Sequence, residues 1–146
     1  MLAGRVERSL VEANYRPIPN RSRESIRNSL LGGRPDEIHD ALLSSAYWED
    51  DWRLAQQQLL SFADHQSFKV TWAVALGLGF IAVFHGEIDE ELVLPVLARL
   101  KKRPEILEVV EETEEEIEHY VRRRKAGEDI SLGQRLPEDW RPPSQR

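Results

Sequence analysis

The chain has 146 residues, 40% of them hydrophobic and 32% charged, with a net charge of −6 and no cysteine. That length holds one domain with a real core, and the missing cysteine excludes a disulfide framework, a thiolate metal site and a cysteine nucleophile. The acidic balance argues against sequence-independent binding to DNA or RNA, whose affinity comes mostly from lysine and arginine on phosphates; it suits a basic protein partner or plain solubility.

Residues 1–21 read as an N-terminal extension. Charges stand where a signal peptide needs its apolar core, so no export signal is expected and a cytoplasmic location is. Val6, Leu10 and Val11 suit a turn or two of helix, which Tyr15-Arg-Pro-Ile-Pro-Asn20 stops, since proline removes a donor and restricts its predecessor. Ser22 is placed to cap a short helix through Leu31, with Ile26 and Leu30 on one face and Gly32-Gly33 as its end. Pro35 and Asp36 open the next helix, which carries Ile38, Leu42 and Ala46 on one face with Leu43 and Tyr47 beside it. Trp48-Glu-Asp-Asp51 is a break and restart, with Asp50 or Asp51 as the cap of a helix bearing Trp52, Ala55, Leu59 and Phe62.

After a turn at Asp64-His-Gln-Ser67, with Ser67 as a cap, comes a run unlike anything else in the chain. Val70 to Phe84 is 15 residues without a charge, and His85-Gly86 ends it. A helix apolar on every side must be surrounded, so this is the expected central helix; the run is shorter than the ~20 residues that span a bilayer, and no membrane partner is expected. Asp89 is placed to cap the following helix, whose apolar positions are Leu92, Val93, Val96, Leu97 and Leu100, with Pro95 expected to bend it. Pro104 starts the last helix. Its inward stripe is Ile106, Val110, Thr113, Ile117 and Tyr120, Arg122 to Lys125 suit its negative end, and Gly127 stops it. Residues 128–146 are polar and proline-containing and read as a poorly ordered tail, with Leu132, Leu136 or Trp140 as pins. No segment alternates with period two. The expectation is all-α, about six antiparallel helices within 22–127.

Three short patterns have a chemical reading that their context opposes. Gly77-Leu-Gly-Phe-Ile-Ala82 matches the dinucleotide-binding G-x-G-x-x-A. It lacks a second strand, so its glycines are expected at close helix crossings. Glu116-Ile-Glu-His119 matches the E-x-x-H of carboxylate-bridged metal sites, but His119 falls away from the inward stripe and no second such motif exists. The histidines, His39, His65, His85 and His119, are scattered and accompany no nucleophile. Neither catalysis nor a metal or cofactor is expected; a metal-dependent helical bundle is the enzyme alternative.

From about Trp52 to Val121 the pattern resembles two consecutive HEAT-type repeats. The residues that carry it are Asp51–Ala63 as a first A helix and Ser67-Phe-Lys-Val-Thr-Trp-Ala-Val-Ala-Leu-Gly-Leu-Gly as its B helix. Leu92-Val-Leu-Pro-Val-Leu-Ala-Arg-Leu100 is a second A helix and Pro104–Val121 a second B helix, one in which glutamates replace the usual small and apolar mix. Repeats of this kind run ~40 residues, and residues 22–47 would form a capping helix pair. The whole resembles small stand-alone HEAT-like proteins of bacteria, some of which are immunity proteins of polymorphic or contact-dependent toxin systems. The resemblance implies a HEAT-like antiparallel stack (an α-α superhelix), with B helices lining a concave binding face.

Between Glu105 and Glu118 stand eight glutamates. Glu108 and Glu115 lie opposite the apolar stripe, flanked by Glu111, Glu112 and Glu118. Like charges meet at 108/112, 111/115, 112/116 and 114/118, each pair costing about 0.2–0.5 kcal/mol in an isolated helix. A solvated face is the plain reading of such a run, and a docking ridge for a basic partner the sharper one. A second acidic group, Glu49, Asp50 and Asp51, lies between Trp48 and Trp52. Trp52 fits the core stripe; Trp48 sits at the junction, either as an exposed anchor or as a plug. With the resemblance, these residues suggest an immunity protein that occludes a cognate basic toxin, such as a nuclease. The alternative is a HEAT-like scaffold or adaptor without a toxin.

Overall fold

A computed structural model describes residues 17–141. The helix expected around Val6, Leu10 and Val11 lies outside the described residues, as does the end of the tail. Among the described residues there are six α-helices and no strand: α1 (Arg23–Gly32), α2 (Pro35–Trp48), α3 (Trp52–Leu60), α4 (Phe68–His85), α5 (Glu90–Leu100) and α6 (Leu107–Glu116). A 3-10 turn, Pro104–Ile106, leads into α6, and a π-helical segment, Ile117–Arg123, continues it.

The boundaries follow from local chemistry. Ser22 Oγ accepts from the Ser25 amide at 3.1 Å, and Asp51 Oδ1 accepts from the amides of Arg53 and Leu54 at 3.1 and 3.3 Å. Each satisfies amides that a helix start leaves without intrahelical partners. Pro35 occupies the first position of α2, where its missing N–H costs nothing. Gly33 and Gly86 close α1 and α4 in the left-handed conformation, with φ of 75° and 65°. Ser67 and Asp89 hold the expected cap positions, but neither side chain makes a capping bond. The Ser67 amide instead donates to His65 Nδ1, and the Asp89 amide to Oε1 of the buried Gln56. Phe62, placed on the α3 stripe by its spacing, falls in the turn after the helix.

The helices form two layers. α2, α4 and α6 lie side by side with α4 in the middle; α1 packs on α2, α3 on α2 and α4, and α5 on α4 and α6. Thirteen of the 18 residues of α4 are buried, so it has no continuous solvent face, as the uncharged run requires. By length and composition alone α4 is long and apolar enough to cross a membrane; 78% of that window is buried inside the fold.

The two glycines of the G-x-G pattern serve the two flanks of α4. A Cβ on Gly77 would stand 2.7 Å from Leu59 Cδ2 and 3.0 Å from Ala46 Cβ, where α2 and α3 cross. A Cβ on Gly79 would stand 2.6 Å from Glu116 Oε1 and 2.9 Å from Thr113 Oγ1, where α6 crosses. Small residues here let three helices approach one, which is what the motif is for in this chain.

The segment after Gly127, expected as a loose tail, crosses the ends of α4 and α2 as a strap. Ile130 and Leu132 pack on the core. The Gly133 amide donates to Val83 O at 2.9 Å, and Arg135 Nε donates to Tyr47 O at 2.6 Å. Tyr47 Oη accepts from the Leu136 amide and donates to Leu136 O. Val83 O and Tyr47 O belong to the last turns of their helices, whose carbonyls have no intrahelical donor. The strap therefore supplies donors where two helices need them, including a cation at the negative end of α2.

Candidate functional site

The last helix is seated by its inner face. Ile106, Val110, Thr113, Ile117 and Tyr120 are all buried, as the spacing predicts, together with Val109, Glu116 and Val121. Thr113 Oγ1 donates to Ala75 O of α4 at 2.7 Å, a buried bond that fixes the axial position of α6. The straight helix expected through Tyr120 instead widens into the π segment at Ile117.

The outer face is acidic. Glu108, Glu111, Glu115 and Glu118 are exposed, Glu112 and Glu114 half-buried. Glu114 turns to Lys101 at 2.9 Å, and its carboxylate holds that ammonium's pKa above the usual lysine value. Glu118 meets Arg122 at 3.5 Å, the pairing that offsets one like-charge contact, and Arg122 also reaches Glu90 at 2.6 Å. Glu111, Glu114, Glu115, Glu118, His119 and Arg123 line an open hollow of about 420 Å³. The sequence pattern anticipated the ridge. It did not separate Glu116, which turns inward beneath α6, from its neighbours. That inward turn also parts Glu116 from the half-buried His119. Among the described residues no group of three or more histidine or carboxylate side chains is arranged to hold a metal ion.

The second acidic group lies elsewhere. The 49–51 turn joins α2 to α3, and α4 stands between α2 and α6. Glu49 is gripped by the Arg23 guanidinium at 2.8 and 3.0 Å, which holds its carboxyl below the ordinary range. Asp50, its side chain 93% exposed, pairs with Arg135 at 3.3 Å. Asp51 caps α3. Trp48 is half-buried; its indole donates to Ile18 O at 2.6 Å and its ring meets Tyr47 edge-on. The plug reading of Trp48 therefore fits, and the exposed-anchor reading does not. Trp52, expected in the core, is only partly buried. Its indole donates to Glu87 at 3.1 Å, and Arg53 lies over its ring at 4.4 Å.

His85, beside this turn, is pushed below its usual pKa, chiefly by burial and then by Arg135, and its Nε2 has no partner among the described residues. Compared with known proteins, the chain matches no protein-family profile, no curated protein and no solved structure.

Proposed function

We propose that the chain is a binding protein that neutralises a basic protein partner through the outer face of α6, in the manner of an immunity protein that occludes a cationic cytosolic toxin. The observation that carries the reading is the contrast between the two faces of α6. The inner face is locked to α4 by Thr113, Gly79 and buried aliphatic residues. The outer face presents Glu111, Glu115 and Glu118 around one hollow, with Glu108 exposed on the same helix. Carboxylates held on a rigid element meet a cationic surface without a backbone ordering cost, and opposite fields raise the rate of encounter. The toxin assignment rests on the HEAT-like resemblance; the same face also serves an adaptor with a basic partner.

The test uses the full chain and a variant carrying Glu108→Lys, Glu111→Lys and Glu115→Lys. Each is used to capture partners from source cells at low salt, and a captured protein is then expressed with and without the chain. The reading expects a basic partner whose toxicity the native chain suppresses and the variant does not. A partner held equally by both forms would sink the acidic face as the contact. A partner that is lost with the variant but harmless when expressed would leave the adaptor.

A further inference from the structure

The strap after Gly127 is anchored beside a histidine. Arg135 Nε donates to Tyr47 O at 2.6 Å, Nη2 to Glu49 O at 3.4 Å and Nη1 to Asp50 Oδ1 at 3.3 Å. Its guanidinium also lies 5.7 Å from the centre of the Phe84 ring. One residue further along α4, His85 ends the helix. It lines a hollow of about 410 Å³ together with Asp50, Phe84, Gly133, Gln134 and Arg135. The strap is thus one wall of this hollow, and His85 belongs to another. On either side of Arg135 the strap is pinned by the Gly133 amide on Val83 O and by the Leu136 amide on Tyr47 Oη.

His85 Nε2 is buried and has no hydrogen-bond partner among the described residues. A neutral imidazole tolerates this, because an unused lone pair costs less than a buried charge. A protonated one does not: Nε2 becomes a donor without an acceptor, and a second cation stands beside Arg135. The charged groups facing the ring come from three sides. From the 49–51 turn come Asp50, already paired with Arg135, and Glu49, whose carboxylate is held by Arg23 and whose carbonyl bonds the ring. Just past α4, Glu87 accepts from the Trp52 indole. From the end of the last helix, Arg124 reaches Gly86 O at 3.4 Å. The anions that could support an imidazolium are therefore engaged elsewhere. Burial first and Arg135 second keep the ring's pKa below the ordinary histidine value, against the smaller pull of the Glu49 carbonyl, Asp50 and Glu87.

We propose that this corner is a pH-operated latch: while His85 is neutral Arg135 holds the strap down, and proton uptake by His85 releases Arg135 and residues 133–136 from the ends of α2 and α4. Opening removes both causes that disfavour the charged ring, the covering strap and the neighbouring guanidinium. The open form therefore takes up a proton more readily than the closed one. Closure is fully favoured above the ordinary histidine range and weakens as pH falls through it. Release uncovers the helix-end carbonyls of Tyr47 and Val83 and frees the chain after Gly127. The latch is independent of the α6 reading, since it uses none of the outer glutamates.

Amide hydrogen exchange of the full chain tests the latch, each rate being taken relative to an unstructured peptide at the same pH. From about pH 7.5 to about pH 5.5, protection of the Gly133 and Leu136 amides should fall about threefold or more. At either pH both amides should be less protected than Val74 within α4, the mark of opening without unfolding. In His85→Gln, whose side chain cannot charge, the fall should vanish. In Arg135→Gln the His85 ring, followed by NMR, should titrate at a higher pH than in the native chain, because one of the two causes that hold it down is gone. A strap arginine with a structural role alone would not move that titration. Equal protection at the two pH values overturns the proposal. So does a fall that persists in His85→Gln, which would belong to carboxylates, or strap amides as protected as Val74, which would open only with the whole fold. An unmoved His85 titration in Arg135→Gln overturns it too.

Discussion

The 49–51 turn and the outer face of α6 are both acidic, and in sequence both look like places for a basic partner. The structure uses them differently. At the turn every carboxylate is engaged within the fold. Glu49 holds Arg23, Asp50 pairs with Arg135, and Asp51 caps α3. On α6, Glu114 and Glu118 are paired while Glu108 and Glu111 stand on the exposed side. The cause is position in the stack. The turn lies where chain from before α1, the start of α1 and chain from after α6 meet, bringing Ile18, Arg23 and Arg135 to it. α6 ends its layer, and among the described residues no further helix packs outside it. Acid density along a chain thus says little about a surface until the distant cations are placed.

The largest test of this contrast is of the frame that holds the two regions apart. In an ordinary helix interior Gly→Ala stabilises by roughly 0.5–1 kcal/mol. At Gly77 and Gly79 the added methyl meets atoms at 2.7 and 2.6 Å, so each substitution should instead cost about 1–3 kcal/mol, read as a lower midpoint in denaturant unfolding. A rise in stability for Gly79→Ala would mean that this crossing gives way, through the Glu116 carboxylate or through α6 itself.

Next in size is the strap. Tyr47 Oη makes both of its bonds to Leu136. Tyr47→Phe should cost about 1–2 kcal/mol and hasten limited proteolysis after Gly127. An unchanged cleavage pattern would show that the apolar contacts, the Gly133–Val83 backbone bond and Arg135 hold the strap without the Tyr47 hydroxyl.

The smallest effect separates the two acidic groups directly. Glu49 has its pKa depressed in the folded state, chiefly by Arg23. Its stabilisation is present above the ordinary carboxylate pKa and lost as pH falls through the lowered folded value. Glu49→Gln should therefore flatten the acid-side decline of the melting temperature and lower stability at neutral pH. Glu111→Gln, on an exposed position, should change stability by less than about 0.5 kcal/mol at either pH. Equal responses from the two would erase the distinction between structural and outward-facing carboxylates.

Much of the fold was legible because its causes are local. Ser22, Pro35, Asp51, Gly33 and Gly86 act on their own neighbours, so the helix boundaries they mark came out where their chemistry places them. The stripe from Ile106 to Tyr120 announced the buried face of the last helix by spacing alone, and the uncharged run at 70–84 announced its central place. What local pattern left open or misplaced shares a cause. The choice between plug and anchor for Trp48, the hold on the 128–136 segment and the inward turn of Glu116 depend on partners 30 to 89 residues away or on another helix's surface, and no local pattern encodes those.

What the sequence determined by itself is therefore the helical class, the central helix and the two glycine crossings as a class of site. Periodicity, capping and the cost of leaving apolar surface in water are properties of short segments. Only the tertiary structure decided which glycine faces which helix and which carboxylates are taken up by internal cations. Those outcomes depend on where the packed layers carry residues far apart in the chain.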